Sequence, residues 1–138
     1  MGCTFCKTRT IRYSNNRKVA DKGKRLPLTI CDYDPEKGTI VLVFQVVGKS
    51  TEKMASLAVG EKFKDIVGPL GKESLMMNLP DEELKNRRML FVAGGVGTAP
   101  IYPQLKWAKK HGMHADVIIG TKTKSTLILE DMMKEYAD

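Results

Sequence analysis

Residues 94–100, GGVGTAP, are the stretch of this chain best suited to hold a ligand. Gly94, Gly95 and Gly97 let the backbone turn sharply and come close to a bound group. Thr98, Ala99 and Pro100 then open a helical pattern whose free N–H groups and positive dipole end attract phosphate. Pro100 suits a first helical turn, where a missing N–H costs nothing. The spacing is not the GxGxxG of a dinucleotide fingerprint, and alone the cluster equally fits a strand-to-helix turn that needs small residues for packing. Two further constellations lie upstream. In RLPLT, Arg25 and Thr29 stand four residues apart on a predicted strand and so share a face. The guanidinium can fork onto a phosphate while the hydroxyl donates further along the same ligand. Gly48, Lys49, Ser50 and Thr51 bring N–H groups and hydroxyls to a predicted helix start, a second phosphate seat. Each of these alone is also an ordinary strand edge or helix cap.

The elements that must position these residues follow from periodicity. Residues 25–31 read as a strand, 34–38 (DPEKG) as a turn and 39–47 (TIVLVFQVV) as a β-branched strand, which together make an antiparallel hairpin. A short amphipathic helix follows over 50–58, with Ser50 or Thr51 as N-cap, and 59–71 returns as a strand. Residues 80–88 (PDEELKNRR) form the domain joint or a last helix. Beyond them the order is strand 89–93, helix 99–111, strand 115–119 and helix 125–136, the last capped by Ser125 or Thr126. Strands alternating with helices imply a parallel sheet with right-handed crossovers. Leu105, Trp107, Met132 and Met133 read as core or helix-face residues. Residues 1–18 show no useful periodicity.

Charge is distributed unevenly. The formal net charge is +7, yet residues 1–25 hold eight Lys/Arg against Asp21 alone, and the rest of the chain is balanced. The basic segment could serve nucleic acid or acidic lipid, but it lacks interleaved aromatics and a recognisable nucleic-acid fold. No run of about 18 apolar residues suggests a membrane span, no apolar leader suggests secretion, and three cysteines suggest a reducing cytoplasm rather than a disulfide framework. Cys3 and Cys6 form a CxxC without a second pair; a zinc site completed by the distant His111 and His114 is the remaining option.

Taken in order, RLPLT, VFQVVGKST, DIVGPLG and GGVGTAP resemble the ferredoxin-reductase-like flavoproteins. Within that family the resemblance is closest to the electron-transfer subunit of dihydroorotate dehydrogenase and the small subunit of NADH-dependent ferredoxin:NADP oxidoreductase. It implies a mixed β and α/β fold, with a partial antiparallel FAD-binding β-barrel over 19–80 followed by the start of a parallel NAD(P)-binding domain over 81–138. Carried over by that resemblance, Arg25 meets the FAD pyrophosphate and Thr29 the flavin edge, with Leu26, Pro27 and Leu28 between them. Phe44, Gln45 and Val46 line flavin and ribityl. Gly48, Ser50 and Thr51 hold phosphate, and Gly94, Gly95, Gly97, Thr98, Ala99 and Pro100 shape the dinucleotide site. Hydride passes between nicotinamide and FAD, and single electrons pass on to an iron–sulfur relay in a complex with a larger catalytic subunit. The cofactors supply the reactivity, so no acid–base residue is expected.

The chain departs from the family in two places. Members are roughly twice as long and carry a cysteine-rich segment for a two-iron two-sulfur cluster, which takes four cysteines; Cys3, Cys6 and Cys31 do not supply them, so no cluster is expected here. Members also have an Ala-Lys-Pro-Gly-Gln-Phe stretch where this chain reads CKTRTIRYSN. Shifting those codons by one nucleotide permits Ala-Lys-Pro-Gly-Gln-Phe-Val-Ile-Val, so a frameshift over residues 1 to about 17 is expected, with weak or no FAD binding by this chain as its consequence. The ordered motifs favour an electron-transfer subunit over a non-catalytic interaction module and over a basic-arm nucleic-acid binder.

Overall fold

The computed structural model describes residues 26–138 apart from 62, 64 and 69, together with the backbone of residues 6–12. The expectations for Cys3, Arg25 and the side chain of Cys6 therefore fall outside the described residues.

Two sheets form. β1 (Cys6–Arg12), β2 (Ile30–Asp34) and β3 (Thr39–Gln45) make an antiparallel sheet in the order β1-β3-β2. β4 (Arg88–Gly94) and β5 (His114–Gly120) pair in parallel, from Arg88 opposite His114 to Gly94 opposite Gly120. The predicted hairpin is present. Asp34 Oδ1 accepts from the Lys37 amide at 3.0 Å, and Gly38 takes φ 59°, which lets the chain reverse into β3. β2 begins later than the sequence suggested, because residues 26–29 are extended without a ladder partner. β1 was not expected. Its Thr8, Thr10 and Ile11 are β-branched, and pairing with β3 from Cys6–Gln45 to Arg12–Thr39 supplies the order that its apolar pattern lacks. The antiparallel sheet is open, with no closed barrel among the described residues.

The helices are α1 (Lys49–Ser56), α2 (Asp81–Lys85), α3 (Thr98–Lys110) and α4 (Glu130–Lys134). α3 crosses from β4 to β5 and ends in a Schellman arrangement. Gly112, at φ 75°, donates to Lys109 O at 3.0 Å and Met113 donates to Ala108 O at 3.1 Å. Pro103 lies within α3 and forgoes one helical N–H.

Two expectations are corrected. The predicted strand over 59–71 does not form among its described residues; Gly60, Gly68 and Gly71 interrupt it, and no described strand pairs with it. The predicted helix over 125–136 is shorter. Lys124–Thr126 is a 3₁₀ turn, and α4 starts only after Leu129, which takes φ 61°.

One buried cluster joins both sheets. Cys31 and Val43 come from the antiparallel sheet, Phe91 and Ala115 from the parallel pair, and Ala99, Tyr102, Leu105 and Ala108 from α3 between them. Leu105 and Met133 are buried, and Trp107 and Met132 pack against the cluster, as their spacing suggested. The opposite face of the parallel pair is bare: Leu90, Val92 and Ile118 are 59%, 65% and 54% exposed.

Candidate functional site

β4 runs into the glycine turn because its core face, Met89, Phe91 and Ala93, alternates with an exposed one until Gly94. Gly95–Gly97 then form a 3₁₀ turn and α3 begins at Thr98, two residues before Pro100. Gly95 has φ 53°, a conformation that L side chains adopt only at a cost. Among the described residues no atom lies within 4 Å of where a Cβ would stand at Gly95 or Gly97, so the turn has free space on that side. At Gly94 the same position meets Gly120 O at 3.7 Å, where β4 packs on β5. Residues 89–101 contain no ionisable side chain. Recognition there rests on backbone N–H groups and the helix dipole, worth roughly half a positive charge.

Thr98 is fully buried, and its Oγ1 has no hydrogen-bond partner among the described residues. Buried hydroxyls are ordinarily satisfied, so this atom stands out at the mouth of the helix. Sequence reading named Thr98 for the turn but carried no signal for its orphaned oxygen.

The second seat differs in detail from its prediction. The N-cap of α1 is Gly48, not Ser50 or Thr51. Thr51, at the third helical position, turns its hydroxyl backwards. Oγ1 accepts from the Val47 and Gly48 amides at 3.0 and 3.1 Å and donates to Gly48 O at 2.9 Å. That saturates the hydroxyl and leaves the amides of Lys49, Ser50 and Thr51 ahead of the first helical bond, Glu52 N to Gly48 O at 2.9 Å. The half-buried Ser50 is the hydroxyl left for a ligand among the described residues. An ion arriving here meets amides and Ser50 rather than Thr51.

The remaining candidates sort by exposure. Leu26, Pro27, Thr29 and Gln45 are exposed, Leu28 and Val46 half-buried, and Phe44 only 3% exposed. Phe44 therefore presents backbone, not ring, to any ligand on this strand. The glycine turn 95–97 packs against β3, the strand that ends in Phe44 and Gln45. The structure thus brings the turn and the Phe44-Gln45 strand together, with α3 packed on β2, the strand that follows Thr29.

Cys31 lies in the core beneath α3. Burial first, then the neighbouring Asp32 charge, pushes its thiol up to about 11, offset in part by Lys106. A protonated, enclosed thiol is the opposite of a metal-ligating thiolate. His111 stacks on Trp107 with ring centroids 3.9 Å apart and its Nδ1 2.8 Å from Trp107 O. Among the described residues no group of three or more His, Cys, Asp or Glu side chains could hold a metal, and no helix is long and apolar enough to cross a membrane.

No protein-family model matches the chain. An uncharacterised protein of the adh 3′ region in Clostridium beijerinckii is 50% identical over 120 residues, 87% of this chain and 40% of its own length. A dihydroorotate dehydrogenase B (NAD(+)) electron transfer subunit homolog from Thermotoga maritima is 38% identical over 121 residues, 88% of this chain and 40% of its length. A solved NADH-dependent reduced ferredoxin-NADP oxidoreductase, described for flavin-based electron bifurcation, matches at TM-score 0.72 and 36% identity, covering 99% of this chain and 44% of that one. The chain spans about two-fifths of the length of the curated relatives it matches. Over the matched residues, the chain resembles the ferredoxin-NADP reductase-like proteins, among them the electron-transfer subunits of dihydroorotate dehydrogenase B.

Proposed function

We propose that this chain carries the flavin seat and the opening of the nicotinamide site of an electron-transfer subunit. It moves reducing equivalents between NAD(P)H and an iron–sulfur partner by way of FAD. The nearness of the glycine turn to β3 carries this reading, because it puts a helix start close to the strand that ends in Phe44 and Gln45. FAD would supply the chemistry, accepting a hydride and releasing single electrons.

The chain's own residues would bind and orient. Arg25 would pair with the pyrophosphate, and the exposed Thr29 would donate to the flavin edge. Gln45 and the backbone of Phe44 and Val46 would flank the ribityl chain. Gly48, the amides after it and Ser50 would take phosphate, with Thr51 holding that turn in shape through its three bonds. The open space beside Gly95 and Gly97 would admit the nicotinamide dinucleotide, with Gly94 holding β4 against β5 and Thr98, Ala99 and Pro100 fixing the helix start behind it. The residues present fit both groups: the space beside Gly95 and Gly97 is free, the first amides of α1 lie ahead of its first helical bond, and the buried Thr98 hydroxyl has no partner among the described residues. The electron acceptor would be a larger catalytic oxidoreductase subunit that brings its own relay.

The visible absorption spectrum of the purified protein, before and after incubation with excess FAD and desalting, tests this. With excess FAD present, flavin bands that bleach on adding NADH are expected, with only a fraction of the flavin kept through desalting. A protein that stays colourless would overturn the flavin reading and leave a non-catalytic interaction module.

A further inference from the structure

β2 carries one residue more than β3 accounts for. Ile30 sits opposite Leu42 and Asp32 opposite Val41, which makes Cys31 an inserted bulge residue. In a regular ladder Cys31 and Asp32 would point to opposite faces of the sheet. The bulge cancels that alternation. Asp32 then shares a face with Val41, which packs against the cluster under α3, and its Oδ1 lies 2.8 Å from Lys106 Nζ on that helix. Cys31, beside it, is fully enclosed in the same cluster.

The Lys106 ammonium stands 5.5 Å from the Tyr102 ring centroid and 6.0 Å from that of Tyr136, and the two rings meet edge to face at 5.8 Å. Aromatic faces attract a cation, most of all where water is partly excluded. The side chains of Lys106 and Asp32 are 34% and 22% exposed, so the pair is screened less than an ordinary surface pair. Three parts of the molecule meet at one nitrogen: the antiparallel sheet, the helix behind the glycine turn and the segment after α4.

We infer that Asp32 and Lys106 form an orienting clamp that holds the sheet of the flavin residues at a fixed angle to the helix of the nicotinamide site. Both are positioning residues, and their role rests on the proposed function. Hydride transfer demands near contact between donor and acceptor, and a misplacement of about 1 Å costs roughly a hundredfold in rate. A bulge that turns a carboxylate towards the opposing helix gives the joint a direction that apolar packing alone does not.

Cys31 reports on the joint without any cofactor. In a Cys3→Ser, Cys6→Ser background of the full chain, native-state labelling of Cys31 by an aromatic disulfide is compared with the denaturant midpoint. Lys106→Met is expected to speed labelling about tenfold, the scale of one charge-assisted hydrogen bond, and to lower the midpoint by no more than the same loss accounts for. Lys106→Arg, which keeps the pair, is expected to restore slow labelling. Labelling that stays slow in Lys106→Met, or that Lys106→Arg fails to slow again, would overturn the clamp. In FAD-loaded protein, the long-wavelength absorbance of a nicotinamide stacked on flavin should weaken in Lys106→Met at unchanged FAD affinity; an unchanged band would overturn the orienting role. Failure of the parent to take up FAD would sink the proposed function instead, with the Cys31 rates still deciding the clamp.

Discussion

Helices α1 and α3 both begin shortly after a strand at a glycine, yet they are held in place by different means. α3 has thirteen residues, of which five are buried, and it touches both sheets. α1 has eight residues with Met54 alone buried, and its start is fixed mainly by three bonds of the Thr51 hydroxyl. The first seat is braced by the core, whereas the second is braced by a local cap. An anion site can thus be made rigid from behind or from its own rim, and only the first way ties it to the stability of the whole molecule.

Core truncation should separate the two most strongly. Leu105→Ala, at a fully buried position of α3, is expected to cost about 3 kcal/mol in chemical denaturation. Met54→Ala, in α1, should cost about 2 kcal/mol, at the low end for such changes, because the side chain is already at the margin of burial. Equal losses would break the contrast. Gly95→Ala should cost about 1 kcal/mol through its positive φ and should also weaken dinucleotide binding in titrations, since the new methyl enters the open approach. Thr51→Val should cost about 0.5–1 kcal/mol by removing the cap, and should loosen the phosphate seat without touching the glycine turn.

The smallest expected effect is one of pH. Asp138 holds its carboxyl down to about 2, chiefly through its hydrogen bond from Lys109 and then that from the Ala115 amide. A folded value below the ordinary ~3.9 means that its contribution is complete above about pH 4 and is lost as the pH falls through about 2. Asp138→Asn should flatten acid unfolding in that window and lower stability above about pH 4 by a small, pH-independent amount. A mutant curve parallel to the parent's from pH 4 to 2 would contradict this.

What could be read in the sequence was whatever carried its own periodicity. The 39–47 run, the DPEKG turn and the β4–α3–β5 unit have alternation, turn chemistry or a helical face within a few residues, and each formed. β1 failed the test because an edge strand needs no apolar face; its order comes from the backbone of β3. The 59–71 stretch failed in the reverse way. Val59, Phe63, Ile66 and Val67 suit a strand, but strand propensity is realised only against a partner, and no strand among the described residues pairs with it. At the candidate site the glycines and Thr98 were legible from type and spacing. The reversed hydroxyl of Thr51, the orphaned Thr98 oxygen and the bulge at Cys31 were not, since each depends on where a neighbouring strand or turn lies in space.

The bare face of the parallel pair has a consequence for handling the protein. Leu90, Val92 and Ile118 form an uncovered apolar strip on a sheet type that is ordinarily sheltered on both sides. Exposed strips of this kind make association a matter of dose. Sedimentation should show a mass that climbs with loading concentration, and any flavin-to-protein ratio should be read after dilution to where that climb has levelled off.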